Sequence, residues 1–207
     1  DVYKRQTGTR IPRAELVRLR EGLRGDILLV VDEAYGEFAD HLGEPVFDLV
    51  GRGDTVILRT FSKAYGLAGM RVGWGLFPES IAGEVRKVMN PNNISAAGQA
   101  AAAAALSDQA YMRETCAITA RLRDGFLHRL REAGFDVAES FTNFALIRFD
   151  DARAAQQADA ALRAEGVVTR AQSGAGLSDC LRVTVGTAEE LNFAASLLEH
   201  WAMGGKA

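Results

Sequence analysis

The segment 59–71 holds the residues best suited to chemistry. It reads Arg-Thr-Phe-Ser-Lys-Ala-Tyr-Gly-Leu-Ala-Gly-Met-Arg, so that Lys63 follows two hydroxyl residues, Thr60 and Ser62. A partly desolvated lysine can form a Schiff base with an aldehyde. Hydroxyls and a guanidinium, here that of Arg71, are groups that bind phosphate. The segment predicts a reactive amine beside a phosphate-binding loop, although a single lysine is more often a solvated surface charge.

A second polar group, Asp32 and Tyr35, directly follows the apolar run 27–31. A carboxylate in that place can pair with a protonated pyridine nitrogen and keep a cofactor ring electron-poor. The Tyr35 hydroxyl can donate a hydrogen bond to an oxygen on such a ring. The alternatives are a turn or helix-capping aspartate and a half-buried aromatic residue.

The elements around these residues predict an α/β fold. The apolar runs 27–31 and 55–58 predict strands buried on both faces of a parallel sheet, and 72–77 predicts a strand whose glycines allow close approach by another backbone. Helices are predicted over 11–23, closed by Gly25, over 78–89 and from 95 onward. Ligands of such sheets bind beyond the carboxyl ends of the strands, where both polar groups are expected.

The second half of the chain predicts a smaller α+β unit. The alanine-rich stretch 95–130 predicts long, closely packed helix, because alanine has the highest helix propensity; a low-complexity linker is the alternative. Beyond it, alternating patterns predict strands over 144–149, 167–170 and 180–185, and helices over 152–165 and 188–201.

Composition limits the class of protein. The 207 residues are 48% hydrophobic and 25% charged, as in folded soluble proteins, and 24 basic against 27 acidic residues give no basic surface for nucleic acid or membrane. No apolar run is long enough to span a bilayer. Cys116 and Cys180 lack zinc-ligand spacing and are predicted to be ordinary thiols, so we expect no metal and a reducing, cytoplasmic location.

Together the motifs resemble those of the fold-type I aminotransferases that use pyridoxal 5'-phosphate. Asp-x-x-Tyr is followed by Thr-x-Ser-Lys, with an arginine eight residues after the lysine. Among the class-II members of that fold, the sequence resembles the histidinol-phosphate aminotransferases. The segments that carry this resemblance are 30–38, 59–73 and 180–187. The resemblance runs from Thr7 to about Trp201. It implies the C-terminal half of a large parallel-sheet domain, followed by a small α+β domain.

The resemblance implies a cofactor role for six residues. Lys63 would be the Schiff-base lysine and would carry the proton between the substrate carbon and the cofactor. Asp32 would pair with the pyridinium nitrogen and Tyr35 with the 3' oxygen. The residues that would bind the cofactor phosphate are Thr60, Ser62 and Arg71.

Two arginines near the end of the chain are implied to bind substrate. Arg182 matches the arginine that grips the anionic group of the substrate, and Arg170 matches a second one that assists it. A guanidinium binds carboxylate or phosphate at two points. For Arg170 a solvated strand residue remains the alternative.

The implied activity is amino transfer between histidinol phosphate and 2-oxoglutarate in histidine biosynthesis, in a protein that is a homodimer when complete. Alternatives are an aromatic amino-acid or threonine-phosphate-type enzyme of the same fold, and a non-catalytic α/β binding module. Thr7-Gly8 resembles the tail of the family's Asn-Pro-x-Asn-Pro-Thr-Gly segment. We therefore interpret 1–6 as a non-native start, 7–110 as a partial large domain, 111–130 as a connecting helix and 131–207 as the small domain. We expect the chain alone to be inactive.

Overall fold

A computed structural model describes residues 4–204. They divide into two units, which we call the N-terminal unit, Ile11–Cys116, and the C-terminal unit, residues 4–10 together with 117–204. The division falls inside helix α5 (Gln109–Glu132). The predicted segmentation into 1–6, 7–110, 111–130 and 131–207 stays a prediction, and residues 1–3 of the first segment lie outside the described residues.

The N-terminal unit contains a three-stranded sheet in the order β1 (Leu29–Asp32), β2 (Thr55–Thr60), β3 (Gly73–Leu76). β1 and β2 are parallel, whereas β3 is antiparallel to β2. The central strand β2 is buried along most of its length, which confirms the predicted strand and extends it to Thr60.

The outer strand β1 differs from its prediction. Val31 packs into the core, but Val30 is 49% exposed, and the side chains of Ile27 and Leu28, which precede the strand, are exposed as well. The expectation of burial on both faces is therefore wrong for β1, because side chains alternate between the faces of a strand and the face that carries Val30 is exposed.

The close approach expected at the glycines of β3 is confirmed at Gly73. A Cβ at Gly73 would lie 2.9 Å from the carbonyl oxygen of Arg59 on β2. At Gly75 the neighbours are instead the side chains of Phe77 and Leu58. Gly73 thus lets two backbones meet beside the end of β2.

Helix α2 (Arg13–Gly22) packs Leu16 against the sheet, while Leu19 stays exposed. Its most buried polar group is the Arg20 guanidinium, which donates to the carbonyl oxygens of Leu23, Arg24 and Ile27 at 3.1, 2.8 and 2.6 Å. These bonds hold the segment that leads into β1. The helix spans 13–22, within the predicted range of 11–23.

The remaining helices of this unit follow their predictions closely. They are α3 (Glu79–Val88) and α4 (Ala96–Ser107), and between them Asn92 donates to the Asn90 side chain in a turn. Ser95 caps α4 by accepting the Gly98 N–H at 3.0 Å. Ala102 of α4 packs against Phe61 and Val72, so the alanine-rich stretch is helix and not a linker. The predicted close packing is wrong for most of α4, because only Gly98 and Ala102 are buried and the other alanines are partly or fully exposed.

The C-terminal unit is a four-stranded antiparallel sheet in the order β4-β5-β7-β6, with helices on it. Its elements are α1 (Lys4–Thr7), β4 (Asp136–Val137), β5 (Phe144–Arg148), α6 (Ala152–Ala164), β6 (Arg170–Gln172), β7 (Leu177–Thr184) and α7 (Ala188–Gly204). One sheet face supplies Ala145, Ile147, Leu181 and Val183 to a core shared with α6, α7 and the end of α5. The predicted α+β unit is confirmed.

One strand of this unit begins later than predicted. Residues 167–169 are not strand, and Val168 is 75% exposed. Arg163 of α6 donates to the Thr169 carbonyl oxygen at 3.0 Å, and the Thr169 hydroxyl donates to Asp159 of the same helix. These contacts tie the segment to α6, so that β6 starts at Arg170.

Within residues 4–204 no helix has the length and apolar character needed to cross a membrane. The same residues hold no group of three or more His, Cys, Asp or Glu side chains that could bind a metal ion. Both cysteines are free thiols, as predicted. Burial, with the nearby charges of Glu37 and Asp40, raises the pKa of the Cys116 thiol to about 11, which disfavours the reactive thiolate.

Candidate active site

Two polar turns begin where the parallel strands β1 and β2 of the N-terminal unit end. Asp32 is the last residue of β1 and lies opposite Leu58, while β2 continues in the same direction to Thr60. Because the strands are parallel, the turns that follow them leave the sheet side by side. The sequence analysis predicted this placement for both polar groups.

The first turn, 32–36, is fixed by hydrogen bonds. The Ala34 N–H donates to Asp32 Oδ1 at 3.0 Å, the Glu33 N–H to the Leu58 carbonyl oxygen at 2.8 Å, and the Gly36 N–H to the Glu33 carbonyl oxygen at 2.9 Å. Tyr35 is half-buried at the end of this turn. Its ring position is thus set by the backbone as well as by packing.

The second turn brings Lys63 to Tyr35. Lys63 Nζ lies 5.4 Å from the centroid of the Tyr35 ring. The Lys63 carbonyl oxygen accepts the N–H of Gly66, which has φ +69° and closes the turn. The adjacent Ala64 is buried against Phe38. The structure therefore places the amine of one turn over the aromatic ring of the other.

A third group joins Thr60, Ser62 and Arg71. The Thr60 hydroxyl donates to the Val72 carbonyl oxygen at 3.3 Å and accepts the Ser62 N–H at 3.1 Å. Arg71 Nη1 donates to the Ser62 hydroxyl at 3.5 Å and to the Ala68 carbonyl oxygen at 2.9 Å. Among the described residues, Arg71 is the only residue other than glycine with positive φ, at 55°. Such strain is concentrated at functional sites.

This donor set fits a phosphate. The Ser62 hydroxyl and the exposed Arg71 guanidinium lie in one hydrogen-bonded group, and hydroxyl and guanidinium donors are what a phosphate binds. The Thr60 hydroxyl is engaged with Val72 and Ser62, so in this arrangement it orders the loop. Its direct contact with a phosphate stays a prediction.

The sequence analysis did not identify Arg59, the residue that precedes Thr60. Its guanidinium forms a two-point pair with Asp40 at 2.8 and 2.7 Å and donates from Nε to Glu33 at 3.0 Å. Nη1 also lies 3.6 Å from Glu37 Oε1. The Arg59 side chain is only 6% exposed. The signal available in the sequence was an arginine inside a strand whose other residues are apolar or threonine.

Burial and charge act against each other in this cluster, which we call the Arg59 cluster (Glu33, Glu37, Asp40 and Arg59). Burial raises the pKa of the Glu37 carboxyl, although the Arg59 charge and a backbone hydrogen bond lower it. Burial lowers the pKa of the Arg59 guanidinium, but Asp40 and the two glutamates raise it above its ordinary value overall. Arg59 therefore stays charged and holds the acidic residues around it.

We expect Gly36→Ala to destabilise the N-terminal unit through this cluster. A Cβ at Gly36 would lie 2.8 Å from three atoms of the Arg59 guanidinium. Carboxylates hold that group, so it cannot move away freely, and overpacking of this kind costs about 1–3 kcal/mol. Urea unfolding of the chain followed by circular dichroism measures the change.

The matched control is Gly51→Ala. Gly36 begins a 3-10 helix, Gly36–Phe38, and Gly51 lies in another, Phe47–Arg52. A Cβ at Gly51 would have no atom outside its chain neighbours within 4 Å. We expect that substitution to change stability by less than about 0.5 kcal/mol. Equal unfolding midpoints for the two variants would contradict a tightly held Arg59.

The two predicted substrate arginines lie together in the C-terminal unit. Arg170 of β6 and Arg182 of β7 are direct partners in the antiparallel register. The Arg182 Cζ lies 4.6 Å from the centroid of the Phe144 ring, whereas Arg170 is exposed. Like charges directly opposite each other are destabilising, and an anion bound by both guanidinium groups relieves that repulsion. The exposure of Arg170 leaves the solvated-strand alternative open for it.

Comparison with known proteins points to one family. The histidinol-phosphate aminotransferase of Paramagnetospirillum magneticum is 43% identical over 201 residues, which are 94% of this chain and 55% of that protein. The chain thus spans about half the length of the relatives it matches.

Two solved structures share the fold. The histidinol-phosphate aminotransferase of Sinorhizobium meliloti, in complex with pyridoxal-5'-phosphate, superposes with a TM-score of 0.87 at 31% identity, covering 96% of this chain and 55% of that one. The L-threonine-O-3-phosphate decarboxylase of Porphyromonas gingivalis gives 0.82 at 25% identity, covering 95% and 61%.

These structures confirm the predicted fold class, fold-type I α/β. The family described as aminotransferase class I and II matches residues 6–198, which includes every residue proposed above for chemistry. By that match the chain belongs to the class I and II aminotransferases.

Proposed function

We propose that this chain carries the part of a pyridoxal-phosphate site that contains the reactive lysine. The enzyme with the complete site transfers an amino group between histidinol phosphate and 2-oxoglutarate. The family uses this cofactor, and the relatives from Paramagnetospirillum magneticum and Rhodospirillum centenum are histidinol-phosphate aminotransferases. One observation carries the proposal: Lys63 Nζ lies over the Tyr35 ring, on the same turn as the Ser62 hydroxyl that accepts from Arg71.

The side chains have complementary tasks. When bound, pyridoxal phosphate supplies an aldehyde that exchanges amino groups and a ring that takes up electrons. Lys63 would hold the cofactor through its amine, and the same amine would carry the proton that leaves the amino-bearing carbon of the substrate. Asp32 holds a proton on the ring nitrogen, and Tyr35 donates to the 3' oxygen. Ser62 and Arg71, with Thr60, hold the phosphate.

Arg182 and Arg170 bind the anionic end of the substrate. Histidinol phosphate carries a phosphate ester and 2-oxoglutarate carries carboxylates, and a guanidinium donates two hydrogen bonds to either group. Holding that end fixes which bond at the amino carbon can break. Stacking on Phe144 supports this role for Arg182, since it limits the orientation of the guanidinium.

A second candidate substrate is a phosphorylated amino acid such as threonine phosphate. The likeness to the Porphyromonas gingivalis decarboxylase favours it, because the same fold there acts on a threonine phosphate. Both substrate classes carry phosphate, so the arginine pair is compatible with each. An aromatic amino-acid substrate and a non-catalytic binding module remain from the sequence analysis and are outcomes of the test below.

Because the chain spans about 55% of its relatives, we propose that it does not sustain transamination alone, and that the complete enzyme is a cytoplasmic homodimer.

The test uses the chain and a chimera. In the chimera, the N-terminal part of the Paramagnetospirillum magneticum relative that has no counterpart here precedes Thr7. Amino transfer to 2-oxoglutarate is measured with histidinol phosphate, threonine phosphate and an aromatic amino acid.

We expect turnover by the chimera with histidinol phosphate as preferred donor, and none by the chain alone. Sustained turnover by the chain would overturn the proposal of inactivity. Preference for another donor would replace the substrate. A folded chimera that neither binds the cofactor nor transfers an amino group would favour the binding module.

A further inference from the structure

Resting on the proposed function, we propose that Arg59 is a positioning residue, which clamps the turn that carries Tyr35 to strand β2 and so keeps the Tyr35 ring over Lys63.

Arg59 holds this turn and the segment after it at three places. Its Nε bonds to Glu33, which precedes Ala34 and Tyr35 in the chain. Its planar end lies against the backbone of Gly36, immediately after Tyr35. Its two terminal nitrogens bond to both carboxylate oxygens of Asp40. Tyr35 therefore lies between two points that one side chain fixes.

The other end of the clamp is equally fixed. Arg59 belongs to β2, where its partner across the ladder is Trp74. The guanidinium carbon lies 4.8 Å from the Phe47 ring centroid and 5.9 Å from that of Trp74. The strand leads through Thr60 directly into the turn with Lys63. A shift of Arg59 relative to its carboxylates would therefore move Tyr35 with respect to Lys63.

The geometry specifies arginine and not merely a positive charge. The two bonds to Asp40 and the one to Glu33 use three different nitrogens of one planar group. Lysine has a single nitrogen and cannot reproduce this fork. A residue that only compensated the acidic charges would be replaceable by lysine, whereas a positioning residue would not.

The experiment uses the chain with and without cofactor. Without cofactor, brief treatment with acetic anhydride and mass spectrometry give the ratio of acetylation at Lys63 to that at Lys87, an exposed lysine paired with Glu84. With pyridoxal phosphate, borohydride reduction and peptide mapping give the amount captured at Lys63. The variants are Arg59→Met, Arg59→Lys and Asp40→Asn. Asp40 is 47% exposed, so its isosteric substitution keeps the fold testable if the arginine variants do not fold.

The matched control is Arg20→Met. Arg20 is as buried as Arg59 and holds a loop through the carbonyl oxygens of Leu23, Arg24 and Ile27. It also contacts Asp54, directly before β2, so its contacts lie where β1 and β2 start and the site lies where they end. Circular dichroism of each variant monitors folding. Arg20→Met thus shows how much acetylation and capture at Lys63 change when the N-terminal unit is destabilised away from the site.

We expect Arg59→Met, Arg59→Lys and Asp40→Asn to raise the ratio of acetylation at Lys63 to that at Lys87 by at least about twofold. This is the lower end of the effects that residues of one hydrogen-bonded network have on each other. The same variants should reduce capture of the cofactor at Lys63. In the background of Tyr35→Ala, which itself raises the ratio, Arg59→Met should add nothing further. The proposal would be overturned by any of three results: a normal ratio in Arg59→Lys, an unchanged ratio in folded Asp40→Asn, or an equal change in Arg20→Met. Failure of the unmodified chain to capture the cofactor at Lys63 would count against the proposed function instead, and the acetylation ratios would still test Arg59.

Discussion

Lys63→Ala is expected to abolish covalent capture of pyridoxal phosphate by this chain. The aldehyde needs an unprotonated amine that can reach it, and Lys63 is the lysine whose amine lies over the Tyr35 ring and which follows Ser62, the hydroxyl bonded to Arg71. Purified chain is incubated with the cofactor, reduced with borohydride and digested. Mass spectrometry then locates the reduced pyridoxyl group.

The control for this substitution is Lys87→Ala. Lys87 lies on the surface helix α3, 68% exposed, and pairs with Glu84 at 2.6 Å. Removing it should leave capture unchanged, because any reaction there is nonspecific modification of an exposed amine. If capture persisted in Lys63→Ala, or was spread evenly over both lysines in the unmodified chain, Lys63 would not be the cofactor lysine.

Much of the site was predictable because its residues are neighbours in the sequence. Thr60, Ser62, Lys63 and Arg71 lie within one turn and its continuation, and the end of an apolar strand marks where that turn starts. The same holds for Asp32 and Tyr35 after β1. Parallel pairing of the two strands then brings the two turns together, and apolar runs of strand length are the usual sign of such pairing.

The parts that were not predicted depend on contacts between residues far apart in the chain. Arg59 and Arg20 both look like surface charges by type, yet each is buried because acceptors from another segment surround it. Periodicity of the sequence describes which face of an element is apolar, and it contains nothing about the acceptors that will meet a guanidinium. Only the fold brings Asp40 to Arg59.

The shift of β6 has a similar cause. Val167, Val168 and Thr169 have high strand propensity, and that alone predicted a strand through this segment. Asp159 and Arg163 of α6 bind the side chain and backbone of Thr169, and that contact removes the segment from the sheet. It also fixes the residue before Arg170, so the exposed arginine extends from an anchored strand end.

Arg182→Lys in the chimera is expected to lower kcat/KM for amino transfer by about 10- to 10²-fold, because hydrogen bonds between charged groups are worth about 1.5–3 kcal/mol. Lysine keeps the charge but loses the two-point grip and the flat contact with Phe144. The half-buried position of Arg182 between β5 and β6 makes this grip directional. Steady-state kinetics with varied histidinol phosphate and 2-oxoglutarate measure the change for each anion separately.

Two further variants make the result specific. Arg148→Lys alters another strand arginine, which lies on β5 with its side chain 54% exposed and 3.7 Å from Asp179. Because substitutions on the surface usually have small effects, it should change kcat/KM by no more than about twofold. Arg170→Ala separates the assisting role from the solvated-strand alternative: an assisting arginine lowers kcat/KM, and a solvated one does not. Unchanged kinetics in Arg182→Lys would place the substrate anion elsewhere. A loss seen with 2-oxoglutarate but not with histidinol phosphate would show that Arg182 binds the carboxylate and that another group binds the phosphate ester.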